Sequence, residues 1–230
     1  MSERPPRGFV AYRRKSVPPQ DVIQGFAGIM TGVVSDALDR GGAMDYGIKP
    51  VGPGMTVLGP AITLKSRPTD SLARDAAMKM AEPGDILVIA TGDYTRTGTW
   101  GDLASYYAKG LGIAGMVTDG LCRDIVGIRE AGLPVFARGF APNAPISSSD
   151  AQINVPVSVG GQIVYPGDII LGDENGVVVI PQRYAADVLA ASREILKKED
   201  AAMADIAAGK FISPTLDARL AAAGFRIIED

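Results

Sequence analysis

Between residues 85 and 137 the chain alternates between two kinds of apolar spacing. Asp85 leads into the unbroken apolar run Ile86-Leu87-Val88-Ile89-Ala90, and residues 102–110 then return apolar side chains at helical spacing. The exchange repeats with a strand expected at 113–118, a helix at 123–131 and a strand at 134–137. Short continuous apolar runs suit strands covered on both faces, and helices of about ten residues between them have the length of crossover connections in a parallel sheet. The pattern predicts an α/β fold whose chemistry lies beyond the carboxyl ends of the strands.

The flanks read differently. After a Pro-rich opening, residues 21–27 and 31–40 predict two short helices, the second starting at a Thr31 N-cap and stopped by Gly41 and Gly42. Gly and Pro crowd residues 46–59, Ala61-Ile62-Thr63-Leu64 predicts a strand, and 71–81 returns to helical spacing. Closely spaced strand candidates at 153–159, 162–165, 168–171 and 176–180 predict antiparallel hairpins. Beyond Pro181 an Ala-, Lys- and Glu-rich stretch to Gly209 predicts one long helix, open to a break, then a shorter helix over 214–223. Tail helices of this kind often pack on a neighbouring subunit. The resulting division is an N-terminal segment with a short helix (1–30), an α/β catalytic domain (31–181) and a C-terminal helical tail (182–230). Recurring Gly-Asp pairs at 84–85, 92–93, 167–168 and 172–173 read as turns, with Gly101-Asp102 set apart by its position before a helix.

Composition narrows the chemistry. With 47% hydrophobic and 21% charged residues in a chain of 230, a self-supporting core is expected. A net charge of −3 argues against nucleic acid as a ligand. No apolar run approaches the ~20 residues that span a bilayer, and no apolar stretch follows the Arg-rich start (Arg4, Arg7, Arg13, Arg14, Lys15), so no membrane partner and a cytoplasmic location are expected. One cysteine, Cys122, excludes an intrachain disulfide or a cysteine-built zinc site, and the absence of histidine removes the commonest general base. Carboxylates, Lys, Tyr, Arg and oxygen-bound metals are left to carry any reaction.

The stretch Val117-Thr118-Asp119-Gly120-Leu121-Cys122-Arg123-Asp124 runs an apolar strand into a Gly turn and delivers Arg123 and Asp124 at a helix opening. Free amides there, together with a guanidinium, make a cradle for a carboxylate or enolate, and Asp124, about 100° further round, can hold a cation. Alone, such a pair reads rather as a surface ion pair, which is the commoner and individually weak arrangement. Trp100-Gly101-Asp102-Leu103-Ala104 occupies the same kind of position after the strand ending at Ala90, so two helix N-termini would face one crevice. The loop between, 91–100, holds Asp93 and Arg96 and suits a lid or wall; Trp100 reads as packing. A Schiff-base mechanism would need a desolvated lysine, for which Lys65 is the best candidate, with Lys109 and Lys197 on solvated helices.

These motifs make the sequence resemble the class II pyruvate aldolases that cleave 4-hydroxy-4-methyl-2-oxoglutarate and 4-carboxy-4-hydroxy-2-oxoadipate, and the related RraA-like regulators of ribonuclease E. The resemblance runs from Val33-Val34-Ser35-Asp36-Ala37-Leu38 through Gly59-Pro60-Ala61 and the Asp-Gly-x-x-Arg-Asp element to Gly172-Asp173-Glu174-Asn175-Gly176 and the strand that ends before Pro181. It implies an α/β/β/α sandwich resembling the swivelling phosphohistidine-type domain, with N-terminal helices and a C-terminal helical tail. It also implies a homotrimer or homohexamer with sites between subunits, and Mg²⁺ or Mn²⁺ as cofactor. By the same resemblance Asp124 is the metal ligand, and Arg123 binds the 2-oxo oxygen and stabilises the enolate. The amides of Gly101, Asp102, Leu103 and Ala104 hold the pyruvoyl carboxylate, while Asp102 and Glu199 orient water. The implied reaction is cleavage of a 4-hydroxy-2-oxo acid to pyruvate and a second carbonyl compound, with oxaloacetate decarboxylation through the same enolate. The alternative is a non-catalytic regulator that binds a ribonuclease or helicase. The tail of about fifty residues after Pro181, which carries Glu199, favours the enzyme.

Overall fold

The computed structural model describes residues 8–66, 70–144 and 151–228. Strand β1 (Val10–Ala11) and helix α1 (Gln20–Gln24) come first, followed by α2 (Thr31–Ala37) and the edge strand β2 (Lys49–Pro50). The alternating centre is β3 (Val57–Ser66), α3 (Ser71–Met80), β4 (Ile86–Ala90), β5 (Gly98–Trp100), α4 (Asp102–Gly110), β6 (Gly115–Thr118), β7 (Leu121–Cys122), α5 (Ile125–Ala131), β8 (Val135–Ala137) and β9 (Gly139–Phe140). Next come β10 (Ala151–Ile153), β11 (Val157–Val159), β12 (Gln162–Val164), β13 (Ile169–Asp173) and β14 (Gly176–Ile180), and then the tail helices α6 (Ala185–Ala207) and α7 (Leu216–Ala222).

Strands β3, β4, β6 and β8 are parallel neighbours, as the crossover spacing predicts. The first half of β3 instead pairs antiparallel with β13, from Val57 opposite Gly172 to Pro60 opposite Ile169, and its second half pairs with β4 from Ala61 opposite Ile86. One strand thus belongs to two sheets. Successive residues in a strand face opposite sides, and here that alternation sorts the core into layers. Leu87 and Ile89 of β4 pack with Ala73 and Ala77 of α3 and Ala104 and Ala108 of α4. Ile86 and Val88 of the same strand meet Ile170, Val177 and Val179 of the β13–β14 hairpin. The other face of that hairpin, Ile169, Leu171, Val178 and Ile180, is covered by Ile23 and Phe26 from the α1 region, Val33 and Val34 of α2, and Val188 and Leu189 of α6. The layers run helix, sheet, sheet, helix, an α/β/β/α sandwich. At about 1.5–3 kcal/mol for each large apolar side chain buried, these three clusters are the main favourable contribution to the fold.

Several local expectations are corrected. Met30, not Thr31, is the N-cap of α2. The Thr31 amide and hydroxyl both donate to the Asp173 carboxylate at 2.8 Å, so the cap comes from the β13–β14 turn rather than from the helix's own sequence. Burial opposes the charge on Asp173, but these bonds and those of Asn175 outweigh it and hold the carboxyl below its ordinary pKa. Helix α2 ends at Ala37, ahead of the two glycines, because Asp39 and Arg40 already turn left-handed (φ 54° and 65°). The strand expected over 153–159 divides at Asn154, where φ is 57°. Helix α6 runs 23 residues without a break. Among the described residues no helix is long and apolar enough to cross a membrane.

The Gly-Asp pairs hold turns together. Asp168 accepts the Tyr165 and Gln182 amides at 2.9 Å, and Asp85 accepts the Glu82 amide at 2.8 Å. Asp85 also receives Arg14 at 2.6 Å, and this gives one residue of the Arg-rich opening a place in the fold; Arg4 and Arg7 lie outside the described residues. Burial pushes the Asp85 carboxyl up against the opposing pull of Arg14 and the Glu82 amide. The side chains are 11% and 2% exposed, so removing one leaves the other charge in a poorly hydrated place. Arg14→Met is expected to lower the unfolding free energy by about 3 kcal/mol in urea titrations, against about 0.5 kcal/mol or less for Glu82→Gln, whose side chain is 77% exposed. Without Arg14 the Asp85 carboxyl would rise further above the value to which burial already pushes it. Through this group both proteins lose stability as pH climbs past the ordinary aspartate value of about 4, and the deficit of the variant should widen only above the raised wild-type value, where the wild-type carboxyl ionises and that of the variant does not.

Candidate active site

After each of the parallel strands β4, β6 and β8 the chain forms a short second strand, reached through the loop 91–97 after β4 and through tight turns after β6 and β8. These second strands, β5, β7 and β9, form a parallel three-stranded sheet beyond the carboxyl ends of the main one. The Arg123 amide donates to Trp100 O at 2.8 Å and the Ala141 amide to Cys122 O at 2.9 Å, so the ladder carries the chain straight to the Arg-Asp pair. Asp119 anchors the loop after β4. Its buried carboxylate accepts Thr91 N at 2.7 Å, Thr91 Oγ1 at 2.8 Å and Asp93 N at 3.0 Å, fixing the start of the loop after β4 to the end of β6. Arg138 then bridges Asp93 at 2.7 Å and Asp45 at 2.8 Å. Asp93, expected to be an ordinary loop residue, thus ties the loop to the body.

Arg123 and Asp124 line a cavity of about 240 Å³ with the first turn of α4, Gly101 to Ala104. Arg123 Nε donates to Asp124 Oδ2 at 2.7 Å, and about a third of each side chain is exposed. The expected helix over 123–131 starts two residues late. Asp124 is the N-cap of α5 in a left-handed conformation (φ 54°) and makes no capping bond, which leaves its carboxylate turned to Arg123. The start of α4 on this cavity also lacks a side-chain cap from its N-cap residue, Gly101, and its Leu103 amide donates to Asp102 Oδ1 at 2.6 Å. Two helix N-termini do line one crevice, with the first turn of α4 on one side and the Arg-Asp pair before the other helix.

Trp100 packs as expected. It is 1% exposed and its indole N–H donates to Ser105 Oγ at 2.7 Å. Cys122 is fully buried immediately before Arg123, and desolvation pushes its thiol far up. Lys65 is exposed at the end of β3, Lys109 donates to Ala131 O at 2.7 Å, and among the described residues no lysine lines the cavity. Glu199 stands on the exposed half of α6 and does not line the cavity of its own chain. Arg74 of α3 and Thr99 complete the lining, and sequence reading had singled out neither. An arginine on an amphipathic helix reads as solvated, and only the packing of α3 against the sheet brings it to the site. A larger cavity of about 600 Å³ lies between residues 16–19 and Arg183, but its carboxylate, Asp168, is committed to backbone amides.

The family model described as Aldolase/RraA matches residues 31–179, from the first turn of α2 to the last residues of β14. The chain belongs to the RraA-like family. A relative from Halalkalibacterium halodurans, named "Putative 4-hydroxy-4-methyl-2-oxoglutarate aldolase", is 44% identical over 170 residues, which cover 74% of this chain and 80% of the relative. An uncharacterised protein of Methanocaldococcus jannaschii is 39% identical over 169 residues, 72% of this chain and 81% of its own length. Among solved structures, Streptomyces coelicolor RraAS2, described as an unusual member of the RNase ES inhibitor RraA protein family, superposes with a TM-score of 0.75 at 28% identity, covering 82% of this chain and 98% of that one. The RraA-like match ends before α6, so the helix that carries Glu199 lies outside it.

Helix α5 holds the α4 start in place through Gly127. A Cβ on that residue would lie 2.6 Å from Asp102 Cβ and 2.8 Å from its Oδ2, closer than atoms can pack. Glycine in an exposed helix normally gives up to about 1 kcal/mol when replaced by alanine. Here Gly127→Ala is expected to have the opposite sign and destabilise by about 1–3 kcal/mol in urea titrations, because α4 must recede. A variant as stable as its parent would show that the two helices part without cost.

Proposed function

We propose that the protein is a divalent-metal-dependent aldolase that cleaves a 4-hydroxy-2-oxo acid, such as 4-hydroxy-4-methyl-2-oxoglutarate, to pyruvate and a second carbonyl compound, and that the same site decarboxylates oxaloacetate. The observation that carries this reading is the meeting of a guanidinium, a carboxylate and an uncapped helix start on one cavity. The amides at the α4 start, apart from that of Leu103, which Asp102 already holds, bind the C1 carboxylate, where the helix dipole favours an anion. Arg123 directs N–H groups at the 2-oxo oxygen and stabilises the enolate that forms as the C3–C4 bond breaks. The C4 hydroxyl loses its proton as C4 becomes a carbonyl, and C3 of the enolate gains one to give pyruvate. Asp102, the second carboxylate on the cavity, and Glu199 from a second copy of the chain orient the water that carries the C4 proton.

Oxygen donors suit Mg²⁺ or Mn²⁺, and Asp124 with Asp102 nearby would hold such an ion. Among the described residues no group of three Asp, Glu, Cys or His side chains converges, so water and substrate oxygens would complete the shell. The ion would add Lewis-acid stabilisation of the enolate oxygen. Trimeric or hexameric assembly is part of the reading. It is supported by the tail, where Phe211 and Ile228 are 82% and 84% exposed in a single chain, an unfavourable display of apolar surface unless covered.

A second reading, a non-catalytic regulator of a ribonuclease, is favoured by the likeness to RraAS2. Pyruvate release from 4-hydroxy-4-methyl-2-oxoglutarate and from oxaloacetate separates the two. Activity is expected with Mg²⁺ or Mn²⁺, and it should vanish in EDTA and return on re-addition. Full turnover in chelator would remove the metal from the mechanism, and a well-folded protein inert with either ion would favour the regulator. Arg123→Lys should lower kcat by about 100-fold, because a point charge does not reproduce the planar donor fork. An unchanged kcat would make Arg123 structural.

A further inference from the structure

Arg74 is the second guanidinium on the cavity of Arg123 and Asp124. It lies one turn into α3, a helix started by the Asp70 carboxylate accepting the Ala73 amide at 3.1 Å. Its Cζ sits 5.9 Å from the centroid of the Trp100 ring, and its side chain is only 16% exposed. Nε and Nη2 both donate to Asp75 Oδ1, at 3.0 and 2.9 Å, which holds one edge of the fork. Among the described residues the Nη1 edge has no hydrogen-bond partner. A guanidinium clamped against an aromatic face, with one edge held and the other free, is pre-organised for an anion.

Within the aldolase reading, on which this inference rests, the C1 carboxylate goes to the α4 amides and the 2-oxo oxygen to Arg123. A dicarboxylic substrate has a further carboxylate on the fragment that departs from C3, and neither of those groups serves it. We infer that Arg74 binds this second carboxylate and makes the site selective for dicarboxylic 2-oxo acids over those with a neutral end. Lys65 and Arg96, other cations near this end of the sheet in sequence, are exposed and do not line the cavity. Asp102 and Asp124 repel an anion, so among the described residues that line the cavity the selectivity falls to Arg74.

Binding tests this without requiring turnover. In the presence of Mg²⁺, 2-oxoglutarate and 2-oxopentanoate have the same five-carbon chain and differ at the far end, where one has a carboxylate and the other a methyl group. Titration calorimetry is expected to show the wild type preferring 2-oxoglutarate by about 30-fold, the range of a charge-assisted hydrogen bond. Arg74→Met, which keeps an apolar stem over Trp100, should erase the preference while leaving the 2-oxopentanoate Kd within about threefold, and Arg74→Lys should retain part of it. Melting curves check that both variants are folded. Equal weakening of both ligands would make Arg74 a packing residue and overturn the inference, as would a preference that survives Arg74→Met. If pyruvate release persists without the predicted preference, this inference falls and the aldolase reading stands. If the preference holds but no pyruvate is released from a 4-hydroxy-2-oxo acid, the aldolase reading falls and the carboxylate site stands.

Discussion

Sharing β3 between two sheets is the constraint from which the rest of the architecture follows. Its first residues belong to the antiparallel hairpin sheet and its later ones to the parallel sheet, with the handover at Pro60 and Ala61. Proline has no N–H to donate and suits a place where one ladder stops and another begins. The Ala61 amide donates to Asp168 O at 2.8 Å and the Gly167 amide to Ala61 O at 2.9 Å, so the hairpin side holds the junction from both directions. With the two sheets joined covalently through one strand, the middle apolar layer has a fixed thickness. The helices on either side then have fixed surfaces to cover.

The same economy builds the site. Beyond three parallel strands of the main sheet the chain pairs again as β5, β7 and β9, so the residues that follow them inherit a rigid register. Arg123 follows β7 directly, and the α4 start follows β5 directly. Residues placed by ladders are more precisely held than residues on free loops, and precision is what a charge-stabilising site needs. Asp119 supports this from behind. Its three accepted hydrogen bonds use a buried carboxylate as a fixed bracket between the loop after β4 and the end of β6.

The parts legible in the sequence were those governed by local spacing. The apolar run at Ile86 and the helical spacing from Asp102 each determine one element, and the order strand, helix, strand determines which ends meet. The order of strands and helices alone therefore brings Gly101 to Ala104 together with Arg123 and Asp124. What could not be read depends on contacts between distant segments. Thr31 looks like a cap from its neighbours, but an aspartate 142 positions away does the capping. Strands of two or three residues such as β7 and β9 have no period to detect. Arg74 has the spacing of a solvated residue and reaches the site only because α3 packs beside Trp100. Glu199 lies on a helix beyond the family match, and a single chain gives it no partner at the cavity.

The burial of Cys122 has a consequence for the circumstances in which the site can operate. The chain's one thiol precedes Arg123, sits wholly inside the small sheet, and is kept protonated by its apolar surroundings. Attack on disulfides, and the first oxidation to a sulfenic acid, both proceed through the thiolate. A sulfur so close to the cavity could otherwise have made its shape depend on the redox balance around it. Held in this state, Cys122 offers oxidants little thiolate, so the strand that leads into Arg123 and Asp124 carries no readily oxidised sulfur.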